Sequence, residues 1–227
     1  MVHVAKLAFE GDPNVGLHGV ATDRFCLIGK SVRRKYIQQI EDALKVPVIQ
    51  ANVYGTGLVG IFVAANSQNV LIPSIIFERE RKELEKALAD FGVKITTIKT
   101  EHTALGNNIL LSDRVCISST VFPKEQIDQI KKVLRITPQQ FDIAGLNVPG
   151  SAGVITNLGA IFNSNVSDAE IKKIEKLLGF EIGIGNVNMG NPFVRSGLIA
   201  NSNGFIVGGL SSGYEIARID ESLGFLK

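Results

Sequence analysis

The most reactive side chains of this chain are two thiols, Cys26 and Cys116, and three imidazoles, His3, His18 and His102. Two cysteines are too few for a disulfide framework, and none of these groups has the spacing of a paired metal-ligand motif, so no metal or cofactor is expected. A thiol becomes a nucleophile only where its surroundings favour the thiolate. The role of each cysteine must therefore be read from its place in the chain. The run Tyr54-Gly55-Thr56-Gly57 has glycines suited to a phosphate loop but lacks the Lys and Ser/Thr that complete a Walker motif, so it reads as a turn into the next segment. A basic cluster lies at Lys30, Arg33, Arg34 and Lys35, at the start of a predicted helix. Positive charge there opposes the positive end of the helix dipole. Two readings stand: Arg33 and Arg34 hold phosphate groups of a partner, or the helix face is solvated at a penalty of at most ~1 kcal/mol per charge.

Composition narrows the function classes. The 227 residues carry 24 Lys and Arg against 22 Asp and Glu, so a net charge of +2 creates no field that would hold nucleic acid nonspecifically. No DNA partner is expected. Hydrophobic residues at 45% and charged residues at 20% suit a soluble globular chain with a sizeable core. The N-terminus, MVHVAKLAFEGD, lacks a leader pattern, and no apolar run reaches the ~18 residues of a membrane span. A cytoplasmic protein with no membrane partner is expected.

The elements that would position these groups repeat five times. The triads Ile37/Ile40/Leu44, Arg81/Leu84/Leu88, Ile127/Ile130/Leu134, Ile171/Ile174/Leu178 and Ile216/Ile219/Leu223 each follow one helix face, at offsets of 44, 46, 44 and 45 residues. Thr22, Asn66, Ser112, Thr156 and Asn201 each open a short polar turn before an apolar strand, with the same offsets. Two unrelated features in one spacing mark a structural unit. Six residues before each turn stand Gly16, Gly60, Gly106, Gly150 and, breaking the pattern, Arg195. The glycines predict a positive φ or a close strand approach. Cys26 and Cys116 share one repeat slot with Val70, Ala160 and Phe205, which predicts buried small hydrophobes and not nucleophiles.

Each unit reads as glycine, strand, polar turn, strand, loop, helix and a final strand such as Val46–Val53, Val93–Ile98 or Phe180–Ile184. The fifth unit has no room for its final strand after its helix, whereas His3–Phe9 is strand-like and unassigned. Supplying the missing strand from the N-terminus would close the chain into a ring with sheets inside and helices outside. One domain over 1–227 is expected, with repeats at about 16–59, 60–105, 106–149, 150–194 and 195–227, the last closed by 1–15.

Thr103-Ala104-Leu105-Gly106-Asn107, the stretch from Leu58-Val59-Gly60 through Asn66 to Leu71-Ile72-Pro73, and the ending from Ile206-Val207-Gly208-Gly209 to Leu223-Gly224-Phe225 carry a resemblance over nearly the whole chain. The sequence resembles the archaeal translation initiation factor 6 family, ribosome anti-association factors with the pentein fold. That resemblance implies an α/β ring, an α+β propeller of five quasi-identical β-α repeats with helices outside. It implies a monomer that docks on the large (50S) ribosomal subunit, mainly on an L14-type ribosomal protein beside the sarcin-ricin loop of the rRNA. Once docked it would exclude the small subunit, and a part in large-subunit biogenesis is also implied. Eukaryotic members carry a further C-terminal tail, so an archaeal-type protein is expected.

On this reading Asn107 and its ring mates Leu17, Ile61, Ser151 and Ser196, together with Arg195, are candidate ribosome contacts, and Arg33 and Arg34 are candidate rRNA phosphate contacts. An asparagine in a turn also has a local use, satisfying nearby backbone. Two other functions fit parts of the pattern. The pentein fold hosts guanidine-modifying enzymes, deiminases and amidinotransferases, which need a thiolate, a histidine and carboxylates for the guanidinium. No fitting set is visible here, and no enzyme is expected. A general RNA-binding protein needs a basic face with stacking aromatics, whereas the chain has no Trp and three Tyr.

Overall fold

The computed structural model describes residues 3–226; Met1, Val2 and Lys227, which fall inside the terminal repeat limits, lie outside the described residues. The polar turns set the architecture. In each, one short side chain uses its oxygen to accept the backbone N–H groups two and three residues on, as Ser, Thr and Asn do in turns. Thr22 Oγ1 accepts from Arg24 and Phe25 at 3.2 and 3.1 Å. Asn66 Oδ1 accepts from Gln68 and Asn69, Ser112 Oγ from Arg114 and Val115, Thr156 Oγ1 from Leu158 and Gly159, and Asn201 Oδ1 from Asn203 and Gly204.

Each turn joins an antiparallel pair of strands, and a helix then returns the chain to add a third strand in parallel. The strands are β1 (Val4–Leu7), β2 (Gly19–Ala21), β3 (Cys26–Gly29), β4 (Val48–Ala51), β5 (Ala64–Ala65), β6 (Asn69–Pro73), β7 (Lys94–Ile98) and β8 (Ile109–Leu111). They continue with β9 (Cys116–Ser118), β10 (Gln139–Gln140), β11 (Gly153–Ile155), β12 (Ala160–Asn163), β13 (Gly183–Gly185), β14 (Leu198–Asn201) and β15 (Gly204–Gly208). Five three-stranded sheets result: β2-β3-β4, β5-β6-β7, β8-β9-β10, β11-β12-β13 and β14-β15-β1. In the last, β1 pairs parallel with β15, Val4 opposite Phe205 through Leu7 opposite Gly208. The inner strands β2, β5, β8, β11 and β14 touch in succession, and β14 touches β2, so the five-fold ring is closed. This is the closed α/β ring of five units expected from the repeats.

The long helices are α1 (Ile37–Leu44), α2 (Glu78–Leu88), α3 (Lys124–Leu134), α4 (Asp168–Leu178) and α5 (Gly213–Ser222). Their apolar faces bury Ile40, Leu44, Leu84, Leu88, Ile130, Leu134, Ile174 and Ile219. Four helices pack partly on the sheet of the unit before them: α2 meets β4, α3 meets β7, α5 meets β13, and α1 meets β15 and β1, while α4 joins the preceding unit through Ile174, which shares a cluster with Ile117 and Phe141. The apolar core is accordingly divided into five clusters, and each draws on two consecutive units. One joins Ile199, Ile206 and Leu7 to Cys26, Ile28, Ile40 and Leu44, across the seam where the ring closes.

Two sequence expectations need correction. The ring glycines do not begin strands; they lie in single helical turns, Val15–Leu17, Val59–Phe62, Leu105–Asn108 and Pro149–Ala152, with Val194–Gly197 in the fifth unit. Nor do they need a positive φ, since Gly16, Gly60, Gly106 and Gly150 are absent from the residues in that region. Close approach is the cause, and it is between helical turns. A Cβ on Gly60 would overlap the carbonyl oxygen of Gly16, one on Gly106 that of Gly60, and one on Gly150 that of Gly106. The final strands also start later than expected, at Val48, Lys94 and Gly183; β4 stops at Ala51 because Val53 leaves the sheet to bridge Thr56 across the Tyr54-Gly55 turn, whereas β13 runs on to Gly185.

Those loop turns are tied to helix starts by glutamates. Glu215 accepts from Ser212 N at 2.7 Å, its own capping contact, and also from Gly190 N at 2.8 Å in the preceding turn. Glu170 does the same for Ser167 and Ala144, and Glu80 for Phe77, Tyr54 and Gly55. Burial alone would raise the carboxyl pKa of Glu170 and Glu215, but these N–H donors outweigh it and hold both below the usual 4.5.

Gly60→Ala forces a methyl into a backbone carbonyl and should cost about 3 kcal/mol or more. Gly213→Ala, at an open position at the start of α5, should be neutral or stabilise by ~0.5–1 kcal/mol; urea unfolding of both variants checks the contrast. The depressed carboxyls make their contribution above the unfolded value near 4.5 and lose it as pH falls through the lower folded value. Urea midpoints measured from pH 7 to pH 3 should therefore fall less steeply in Glu170→Gln/Glu215→Gln than in the unaltered chain.

Candidate docking surface at one mouth of the ring

The helical turns that carry the ring glycines crowd around the axis at one mouth, and each glycine is followed by one outward residue. Leu17, Asn107, Ser151 and Ser196 line a shared depression of about 210 Å³ together with Arg195. Ile61 occupies the same slot in its turn, half-buried, but stands outside the lining of the depression. The slot mates are thus gathered around one mouth, with Ile61 at its edge.

The local duty open to an asparagine in the third turn is performed by its neighbour. Asn108 Nδ2 donates to the Ala104 carbonyl at 3.0 Å. The turn's other bonds are made by backbone, with Asn107 N and Asn108 N both donating to Ala104 O at 3.0 Å. Asn107 is half-buried beside the depression, where its amide can offer donors and an acceptor to a partner. Ser196 is more engaged: its Oγ donates to Phe193 O at 2.8 Å and accepts from Asn191 Nδ2 at 3.0 Å.

Asn191 and Phe193 also line the depression and were not among the residues singled out from sequence. They come from the loop before the fifth unit, whose bridge spans Val187 to Asn191, one residue more than the bridges Phe9 to Asp12, Val53 to Thr56 and Ile143 to Leu146. That added residue, in Asn188-Met189-Gly190-Asn191, is the signal that marks the loop.

Arg195 differs from its four glycine equivalents in having a side chain at the axis. It lines both the depression and the passage behind it, whose walls include Val20, Ala64, Leu110 and Ile199. Burial lowers its pKa to about 10, so it remains charged at neutral pH. At the other mouth a second belt, also unread from sequence, occupies the slot directly after each turn-opening residue. Ser202 N and Oγ donate to Asp23 at 2.7 and 2.8 Å, and Ser67 N and Oγ donate to Asp113 at 2.7 and 2.8 Å. Asn157 Nδ2 bridges the two carboxylates at 2.7 and 2.8 Å.

The other candidate groups sit apart from the axis. Arg33 pairs with Glu10 at 2.9 Å and Lys30 with Glu83 at 2.6 Å, so part of the charge at the helix start is neutralised. Arg33 and Arg34 are exposed and do not line the depression. Both thiols are buried in the inter-unit cores, which pushes Cys26 and Cys116 up to about 12. His3 pairs with Asp220 at 2.7 Å, His18 with Asp12 at 3.5 Å, and His102 lies edge-on to Phe122. Among the described residues there is no group of three or more His, Cys, Asp and Glu placed to hold a metal ion, and no helix long and apolar enough to cross a membrane.

Known proteins share both this sequence and this shape. Residues 4–222 match the model of the eIF-6 family. The chain is 36% identical over 227 residues to a protein of Pyrococcus horikoshii named Translation initiation factor 6, covering 99% of this chain and 100% of that one. It is 30% identical over 222 residues to the protein of the same name from Staphylothermus marinus, covering 98% of each. Among solved structures it resembles a dimethylarginine dimethylaminohydrolase in an adduct with S-methyl-L-thiocitrulline, with a TM-score of 0.52 and 13% identity over 94% of this chain and 74% of that one. At that identity the likeness shows the pentein fold alone. The sequence match over nearly the full length carries the relationship further, and the chain belongs to the eIF-6 family of translation initiation factors, alongside archaeal members.

Proposed function

We propose that this chain, acting as one unit over its whole length, binds the large ribosomal subunit and sterically prevents the small subunit from joining. The observation that carries the reading is the convergence of Leu17, Asn107, Ser151 and Ser196 on one mouth of a closed ring, with the Asn107 amide relieved of local duty by Asn108. The partner surface is an L14-type ribosomal protein near the sarcin-ricin loop, as the family resemblance implies, and the face that docks is the glycine-turn face. Ile61 extends the contact at the rim, and Arg195 forms its floor. Arg33 and Arg34 lie outward of this face and supply a peripheral, salt-sensitive contact to rRNA phosphate.

The mechanism is exclusion by occupancy. A rigid surface loses little conformational freedom on docking. A factor present at ~100 times its Kd shifts the subunit equilibrium by about 2.7 kcal/mol through mass action alone. No bond is made or broken, and the protein acts in the cytoplasm as a monomer. Guanidine chemistry of the kind hosted by this fold would need a thiolate, and both cysteines are held as thiols by burial.

In a sucrose gradient the protein should travel with large subunits, be absent from joined ribosomes and show little affinity for naked rRNA. Subunit joining that proceeds undiminished at saturating protein would refute the reading. Asn107→Ala should weaken large-subunit binding about tenfold, the scale of one interfacial hydrogen bond, with an unchanged urea midpoint. Arg33→Glu/Arg34→Glu should reduce the salt dependence of binding; an unaltered slope would assign those residues to a solvated helix face.

A further inference from the structure

The two most exposed large apolar side chains among the described residues stand together in the fifth unit: Tyr214 is 81% exposed and Met189 77%. They flank a groove of about 410 Å³ at the start of α5, lined also by Ile184. Folding does not call for an aromatic there. The repeat slot of Tyr214 holds Lys35, Arg79, Glu125 and Ala169 in the other units, residue types suited to a solvated helix start. Large apolar side chains grouped in water at such a place mark an interaction site. One loop joins the groove to the docking mouth, for Met189 and Gly190 line the groove while Asn191 and Phe193, the latter 41% exposed, line the depression.

That loop is held in place from three sides. Asn188 and Met189 both adopt the left-handed backbone, at φ 50° and 63°, that L residues rarely take. Asn188 N donates to Ser211 Oγ at 2.9 Å, and its Nδ2 donates to Pro13 O at 3.0 Å, in the segment that leads into the first unit. Room for the amide comes from Gly197 and Gly208, where a Cβ would strike it. Glu215 accepts from Met189 N at 3.3 Å and from Gly190 N at 2.8 Å. An apolar surface fixed in strained backbone by bonds of this number is preorganised for a partner.

We infer that Met189, Phe193 and Tyr214 form a second docking element, an apolar anchor that takes a hydrophobic patch of the protein covering the mouth. The inference rests on the proposed large-subunit binding and names the chemistry of one sector of it. Charge selects protein over RNA as the occupant. The charged residues that line the groove are engaged within the fold: Arg218 donates to Ile184 O at 3.1 Å and to Glu221 at 2.7 Å, and Glu215 holds the loop. The groove therefore offers apolar area and no uncommitted cation for phosphate. Aromatic and methionine side chains are enriched in protein interfaces, and aromatics are prominent among the residues that dominate binding there.

Co-sedimentation of Met189→Asn/Tyr214→Arg with large subunits, over a series of salt concentrations, tests the anchor. Asparagine tolerates the left-handed backbone, and arginine is the residue of the same slot in α2, so the urea midpoint should be unchanged. Binding should weaken about 30-fold, the scale of losing a dominant interface residue, with no steeper salt dependence. Equal affinity would overturn the anchor. Tighter binding with a steeper salt dependence would assign the groove to rRNA phosphate and overturn it as well. Tyr214→Ala, at an exposed helix position, gives the same reading if the double variant folds poorly. The unaltered protein is run beside both: its binding with an unaffected variant removes the anchor and leaves the proposed function, whereas its failure to bind removes both.

Discussion

No unit of this ring has a core of its own. Every apolar cluster lies across a junction, with the helix of one unit covering the sheet of the unit before it, so each unit completes its neighbour and is completed by another. An open chain of such units would end in one uncovered sheet and one unsupported helix. Closure by β1 beside β15 removes both ends at once. Burial at ~25 cal/mol per Å² then accumulates around a loop and not along a line, which makes unfolding of one unit costly to two others.

The axis is built by a different rule from the cores. There, backbone meets backbone, and the glycine turns come so close that no side chain fits between successive members. The opposite mouth is fastened by side chains, through carboxylates at two of five positions and the Asn157 amide between them. One end of the ring is therefore held by contact and the other by hydrogen bonds. Residues following the glycines gain fixed directions as a consequence, because their backbones cannot shift without collision. That rigidity suits the docking face proposed for Leu17, Asn107, Ser151 and Ser196.

The period of the fold is legible in the sequence because its most local requirements recur in every copy. A turn needs a side-chain oxygen, which restricts Thr22, Asn66, Ser112, Thr156 and Asn201 to short polar types. A helix against a sheet needs an apolar face, which produces the triads. What the spacing does not convey is the partner of each face, and so the sharing of cores between units is invisible in it. The glutamates behave likewise: Ser167 and Glu170 announce a helix cap, but the bond from Glu170 to Ala144 depends on how the chain returns. At the docking mouth, the slot after each glycine is readable by alignment of the repeats. Asn191 and Phe193 escape that alignment because their loop carries an added residue, and the burial of Arg195 escapes it because a side chain's path along an axis depends on all five units together.

The pairing of β1 with β15 imposes an order on biosynthesis. The first strand to leave the ribosome waits for the last hairpin, about 200 residues and on the order of 10–40 s of synthesis later at ~5–20 residues per second. Until then the seam cluster around Leu7 and Phe9 lacks Ile199 and Ile206, and α1 lacks β15, which it covers. The nascent polypeptide thus carries exposed apolar surface at both ends of an arc until the last hairpin is made. The closed ring, by contrast, brings His3 within hydrogen-bonding distance of Asp220, so a short linker from the last unit to β1 and a cut at a loop between units would preserve every core while changing which junction forms last.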